Sequence, residues 1–389
     1  MTVALTHVGI HESWNANAGD TLLFEEVRRL FERSLGPLLW DRRQLWEPLD
    51  AEGARRINDQ SAGVVVGGGG LLLRDQEGAD VGVSGWQWNS TVDAVRALEV
   101  PLVVFAIGYN RFRNQPDFDP VFNDHLTAVV EQAGFVGLRN RGSMEAVRAY
   151  LPARLGDRLV LQPCPTCVLW QLHDDGAITA VDHARSGRRV LRFNVAFDRP
   201  AMRFGTDPDT VLGRLAAAMA HADQRGWDVR VTCHKELDRQ IMPHLDAAGV
   251  RYGVDDLTAA SPDEIVDAYA RCDLAVGLRG HAQMVPFGLR VPILSVISHD
   301  KMGWFLDDVG HPEWGVEVMR DDVVDQLCDR IDDHAANRDR VRRQLAVAQE
   351  ASWDRTVTNM ARVASALGQT THLGTGSSDG AEPVRAVHR

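Results

Sequence analysis

The stretch DLAVGLRGHAQMVPF, residues 273–287, decides how the chain is read. Asp273–Gly277 is a short apolar run of strand length, and Ala282–Phe287 has the character of a helix start. Arg279 and His281 therefore fall at the carboxyl end of a strand, on the turn into a helix. Open α/β sheets bind ligands just outside the carboxyl ends of their strands. Free N–H groups at a helix N-terminus, joined by a guanidinium, suit a phosphate or a carboxylate. An imidazole beside such an anion can act as a general acid or base near neutral pH. The plainer alternative is that Arg279 pairs with a neighbouring carboxylate and His281 caps the helix. A helix N-terminus also disfavours imidazolium, so His281 as an acid needs a bound dianion or a carboxylate partner beside it.

Outward from this junction the same rhythm repeats in both directions. Val3–Ile10, Ala62–Val66, Pro101–Gly108, Gly134–Leu138 and Arg158–Gln162 read as strands. Between the first two, a helix begins at Asp20, with Leu23, Val27, Leu30 and Phe31 on one face. Continuous apolar runs of this length are expected of a parallel sheet covered on both faces. The stretch HDDGAITAVDHARSGRR, residues 173–189, is polar, and the pattern then restarts. Val190–Val195, Asp228–Thr232, Val250–Val254, Leu274–Gly277 and Pro292–Ile297 are the strands of the second half. Ser261-Pro262-Asp263-Glu264 opens a helix between them, with a serine cap, proline at the first position and glutamate three residues on. The class is α/β, two Rossmann-like domains facing a cleft, followed by a helical C-terminal segment. The expected boundaries are residues 1–175, 188–320, helices over 321–367, and a disordered Gly/Ser/Thr-rich tail over 368–389.

Composition excludes several functions. The 389 residues carry a formal net charge of −12, which removes the global attraction to nucleic acid or to an anionic membrane. An anionic substrate would have to be met by a local cluster of donors. No apolar run reaches membrane-spanning length, since glycines interrupt the longest, Val64–Leu73. The five cysteines are odd in number and scattered, a pattern of reduced thiols rather than of a disulfide framework. A cytoplasmic protein is expected, with no cofactor, no nucleic-acid partner and no transmembrane segment; the oligomeric state is open.

Other candidate site residues lie at strand ends. Asn17-Ala18-Gly19-Asp20 follows the first strand, where Asp20 suits the N-cap and Gly19 a close ligand approach. Gly67–Gly70 follows the second, and its backbone amides could face a ligand, although neither a P-loop nor a dinucleotide fingerprint is completed. Lys301 stands after the Pro292–Ile297 strand as a point charge for phosphate. Cys164-Pro165-Thr166-Cys167 has the spacing of a redox or zinc pair, but no second CxxC completes it. Of the ten tryptophans, Trp86, Trp88 and Trp304 are core residues on the ordinary reading, with stacking on a sugar ring the alternative.

Taken together, these segments resemble the polysaccharide pyruvyl transferase family from about Gly9 to Gly310. The resemblance rests on N-x-G-D at Asn17–Asp20, the glycine run, Arg139 and Ser143, and R-x-H-A at Arg279–Ala282. G-x-x-V-P at Gly288–Pro292 and K-x-x-x-F-L-x-D-x-G at Lys301–Gly310 complete it. The chain departs from the family pattern at Gly277-Leu278, at Asn140, and at Pro163-Cys164-Pro165, where Pro-Asp-Pro is common. The resemblance implies a glycosyltransferase-B-like fold and a reaction that moves pyruvate from phosphoenolpyruvate onto two hydroxyls of a sugar or glycan as a ketal. It assigns His281 as the acid that protonates the methylene carbon and Arg279 as the anion clamp. Lys301 is a second anion contact; Asn17, Gly19, Asp20, Gly68, Gly69, Arg139 and Ser143 are substrate-binding. Two other functions compete: a glycosyltransferase with a sugar-nucleotide donor, and a non-catalytic pathway protein. The absence of Asp and Glu between Leu274 and His299, where many sugar-nucleotide enzymes hold ribose, counts against the first.

Overall fold

The computed structural model describes residues 2–11, 17–75, 79–173 and 188–373. Among these residues twelve strands form two all-parallel sheets of six. The first contains β1 (Val3–Gly9), β2 (Leu38–Gln44), β3 (Val64–Leu72), β4 (Leu102–Tyr109), β5 (Ala133–Leu138) and β6 (Leu159–Leu161). Their order is β2-β1-β3-β4-β5-β6. The second contains β7 (Val190–Asn194), β8 (Asp228–Cys233), β9 (Tyr252–Asp256), β10 (Leu274–Gly277), β11 (Ile293–Ile297) and β12 (Gly315–Glu317). It is ordered β12-β11-β10-β7-β8-β9, the arrangement of a dinucleotide-binding sheet.

Each sheet has a point where the strand order reverses, between β1 and β3 in the first and between β7 and β10 in the second. Neighbouring loops leave in opposite directions there and open a crevice. The two crevices meet. Residues after β1, β4 and β5 face residues after β7, β8, β10 and β11 across one cleft.

Two strands are absent from the sequence reading. β2, LLWDRRQ, is an edge strand that lies half in solvent, so it has no continuous apolar run to betray it. β12 is three residues at the opposite edge. The glycine run also differs from expectation, because β3 continues through Gly67–Gly70 to Leu72 instead of ending before it. Elsewhere the expected starts hold: Ser261 caps Pro262–Ala270, with reciprocal bonds to Glu264 of 3.3 and 2.8 Å.

The C-terminal helices serve different domains. Val323–Ala336 packs Val323, Leu327 and Ile331 under the second sheet. After Asn337 the helix Arg338–Ala366 crosses back, and its Leu345, Met360 and Val363 join Leu5, Phe105 and Phe135 of the first sheet. Asn359 Nδ2 donates to the Leu161 carbonyl at 2.8 Å. The expected tail starts at 368, yet Gly368–Leu373 is held against the first helix, where His372 N–H donates to the Ser34 carbonyl at 2.6 Å. Residues 374–389, and all but the last residue of the expected domain boundary at 174–188, lie outside the described residues. An apolar cluster of Phe105, Met284, Phe287 and Ile293 spans both domains behind the cleft. No helix among the described residues is long and apolar enough to cross a membrane.

Candidate active site

The cleft holds a cavity of about 130 Å³ that opens to solvent. Six cationic side chains line it (Arg139, Arg199, Arg203, Lys235, Arg279 and Lys301) against the carboxylates Asp20 and Asp198. A chain of net charge −12 thus concentrates positive charge at one place.

Asn17, Asp20, Arg139, Arg279, His281 and Lys301 all line this cavity. Asn17, not Asp20, is the N-cap of the helix Ala18–Leu35, its Oδ1 accepting from Gly19 N–H at 3.2 Å. Asp20 sits in the first turn, and its carboxylate is free to reach His281, with Oδ1 3.8 Å from Nδ1. Burial raises the pKa of Asp20, against the pull of Lys235, Lys301, Arg139 and Arg279.

His281 opens the helix His281–Gly288 and is almost wholly buried. Burial lowers its pKa well below the usual imidazole value, and Arg139, His234 and Lys301 add to the effect. Both burial and the helix N-terminus thus disfavour the charged imidazolium. Its Nε2 lies 3.9 Å from Cys164 Sγ. Gly19 packs on the ring: a Cβ there would fall 2.3 Å from the His281 Cβ and 2.4 Å from Nδ1.

Arg279 is held by acids on two sides. Its Nε and Nη2 meet Asp238, at 3.0 Å from Nε to Oδ2 and 2.5 Å from Nη2 to Oδ1, and Nη1 lies 2.6 Å from Asp198. Asp238 is fully buried and also accepts from Asn194 Nδ2 and from the His234 and Lys235 amides. Asp198 is shared with Arg203, at 3.0 Å; burial disfavours its charge, but Arg279 and Arg203 prevail and hold the carboxylate well below its usual range. The guanidinium lines the cavity with its charge already matched, which makes it a buttress more than a free clamp.

Arg139 and Lys301 are in the opposite situation. Arg139 follows β5 and is buried; its Nε has no hydrogen-bond partner. Lys301 enters from the other domain and donates from Nζ to Asn110 Oδ1 at 2.5 Å, a neutral acceptor. Burial lowers the Lys301 pKa strongly, and Arg139 and Arg203 lower it further. Neither cation has a carboxylate within ion-pair distance among the described residues. Positive groups brought together in a cleft without a carboxylate between them are disfavoured, and a bound anion relieves both at once.

The remaining expected contacts lie outside the cavity. Gly68 and Gly69 face Leu23, Ala106 and Leu71, because β3 does not end before them. Only Gly70 of the run lines the cleft. Ser143 is fully buried, and its Oγ accepts from Tyr109 N–H at 3.0 Å, closing the end of β4. Trp86 and Trp88 are core, with Trp86 Nε1 donating to His125 Nδ1 at 2.9 Å, and Trp304 covers Gly142. Cys164 and Cys167 are free, buried thiols. Sequence reading missed Asn110, Asp198 and Lys235 in loops, Arg203 in the short helix Pro200–Phe204 and Asp238 in the 3₁₀ turn Glu236–Ile241, none of which has a motif around it. The only available signal was their position after strands.

Fold and cleft together define a two-domain α/β protein of the glycosyltransferase-B architecture, with its site between the two sheets. The chain belongs to the polysaccharide pyruvyl transferase family, whose model matches residues 17–301. No curated protein matches it. Among solved structures it is similar to UDP-bound MnaA from S. aureus, at 9% identity and TM-score 0.56, over 93% of this chain and 97% of that one. It is also similar to HepE from Anabaena in complex with UDP, at 13% identity and TM-score 0.53, over 95% and 100%. An O-GlcNAc transferase mutant from Thermobaculum terrenum matches 94% of this chain at 13% identity and TM-score 0.49, and the chain spans 66% of its length. At these identities the likeness is one of fold.

Proposed function

We propose that the protein transfers pyruvate from phosphoenolpyruvate to two hydroxyls of a sugar or glycan, forming a ketal. One observation carries the reading: Arg139, buried, and Lys301, half-buried, neither with an acidic ion-pair partner among the described residues, converge from two domains on the cavity that His281 lines. They are the donor's anion clamp, and Arg279, neutralised by Asp238 and Asp198, stiffens the wall behind them. His281 is the general acid. The donor's dianionic phosphate restores the charge that burial and the neighbouring cations remove from the imidazole.

In the reaction His281 gives a proton to the methylene carbon, and the C2 centre takes on oxocarbenium character. One acceptor hydroxyl adds to C2 and loses its proton to Asp20, the carboxylate beside His281, acting as base. The C2–O bond to phosphate then breaks, and the second hydroxyl closes the ketal and releases its own proton. Phosphate leaves, so one donor and one diol give one ketal and one phosphate. Gln87, Asn110 and Asn17 offer the neutral hydrogen-bonding surface that an acceptor sugar requires.

The test is incubation with labelled phosphoenolpyruvate and candidate glycans, followed by phosphate release and acceptor mass. Acceptor-dependent phosphate release with a ketal mass gain is expected. Thermal stabilisation by UDP, with none by phosphoenolpyruvate, would instead point to a sugar-nucleotide donor. No release with any glycan, and no stabilisation by either ligand, would favour a non-catalytic role.

A further inference from the structure

Cys164 is buried beside the candidate acid and has no part in the chemistry above. Its Sγ lies 3.9 Å from His281 Nε2 and 3.1 Å from Thr166 Oγ1. Both Cys164 and Thr166 are inaccessible to solvent. The short 3₁₀ turn Pro165–Cys167 fixes them: Cys167 N–H donates to the Cys164 carbonyl at 2.8 Å, and Gly288 packs so closely that a Cβ would fall 2.0 Å from the Thr166 carbonyl oxygen. On the other side of the imidazole the Ala18–Leu35 helix presses through Gly19, and Asp20 Oδ1 stands 3.8 Å from Nδ1. The ring is gripped between a thiol and a helix end.

Resting on the reading of His281 as the acid, we infer that Cys164 is its positioning residue: the thiol occupies the Nε2 side, and Nδ1 is the ring nitrogen turned to Asp20 and the cavity. What one ring nitrogen meets governs how the other is presented. The titratable and charged groups around the ring come from every packed element: Asp20 from the first helix, Arg139 after β5, His234 after β8, and Lys301 after β11. None of them approaches Nε2 within hydrogen-bond distance among the described residues; Cys164 does. Burial pushes the Cys164 thiol up, so it meets the imidazole as a neutral group. A carboxylate in the same place would hold the imidazolium permanently; a thiol orients the ring and leaves its charging to the bound donor.

The test uses the full-length protein with ¹⁵N-labelled histidine, His281 being assigned by its loss in His281→Gln, together with steady-state kinetics on phosphoenolpyruvate. Cys164→Ala should move the Nε2 resonance of His281 and lower kcat roughly ten- to a hundredfold, while KM for phosphoenolpyruvate changes little. Cys164→Ser, nearly isosteric, should restore most of the rate and controls for folding. Cys164→Asp should move the titration of His281, and the alkaline limb of the kcat profile, up by at least about one pH unit. Unchanged His281 resonances and titration in all three variants would overturn the inference. The resonance measurements need no donor. If phosphoenolpyruvate proves not to be a substrate, they still decide the contact, and the proposed function fails separately.

Discussion

Gly19 and His281 belong to different domains, and a side chain on the first cannot coexist with the second as it stands. A Cβ at Gly19 would fall 2.3 Å from that of His281 and 2.5 Å from its Cγ. The N-terminus of the Ala18–Leu35 helix is therefore seated on the imidazole, and the Ala18 amide donates across the same boundary to the His234 carbonyl at 3.2 Å. Domain contact and placement of the His281 imidazole are one structural event.

Gly19→Ala should consequently disable the enzyme more than it unfolds it. Overpacking of one methyl costs typically 1–3 kcal/mol, whereas displacing the acid removes much of its roughly 10²–10⁴-fold contribution. A kcat/KM reduced about a hundredfold, with a melting temperature lower by only a few degrees, is the expected pair of readings.

Arg139 and Lys301 carry the opposite signature. Replacing Arg139 by Met removes a buried cation with no acidic ion-pair partner among the described residues, so the free protein should hold its stability or gain about 1 kcal/mol. Stabilisation by phosphoenolpyruvate in thermal melts should disappear, and KM should rise at least about tenfold. A free-protein melting temperature that fell sharply would show that Arg139 has a structural partner.

Asp238→Ala tests the buttress. Removing the acid leaves Arg279 buried with Asp198 alone and breaks the bonds to Asn194 and two backbone amides. Breaking such a buried pair costs about 3–5 kcal/mol, so chemical denaturation should show a far larger loss than for Arg139→Met. Equal losses would mean that the two arginines are held alike.

Acid should weaken the fold early. Burial, the largest cause in each, lowers His11, His125, His234 and His334 to about 4. The unfolded chain, with histidines near 6.5, binds more protons than the folded one between about pH 6.5 and pH 4. Stability therefore rises with pH across that window and is lost as pH falls through it. Each such histidine sets an upper limit of about 1.4 kcal/mol per pH unit. Denaturant midpoints should drop steeply between pH 6.5 and 5, and a flat profile there would refute the burial of these side chains.

Most of the sheet framework was legible because buried parallel strands must be continuously apolar, and β1, β4, β5, β7, β10 and β11 announce themselves in that way. β2 escaped because an edge strand tolerates Asp41, Arg42 and Arg43, and β3 was cut short because glycines at 67–70 look like a stop although the strand runs through them. The sequence placed Asn17, Asp20, Arg139, Arg279, His281 and Lys301 at strand ends, and parallel topology made those ends candidates for one site. It did not distinguish the free cation from the paired one. Arg279 and Arg139 look alike along the chain; the difference is made by Asp238 and Asp198, 41 and 81 residues away from Arg279, which tertiary folding brings to the first and not to the second.

Local composition thus determined that this is a parallel α/β chain with its chemistry after the strands, since strand burial and helix capping are short-range demands. Tertiary structure alone decided which charges remain unmatched, which thiol touches the imidazole and which glycine bears on it. Electrostatic pairing and close packing depend on distance in space, and that distance is fixed only when the two sheets close on one another.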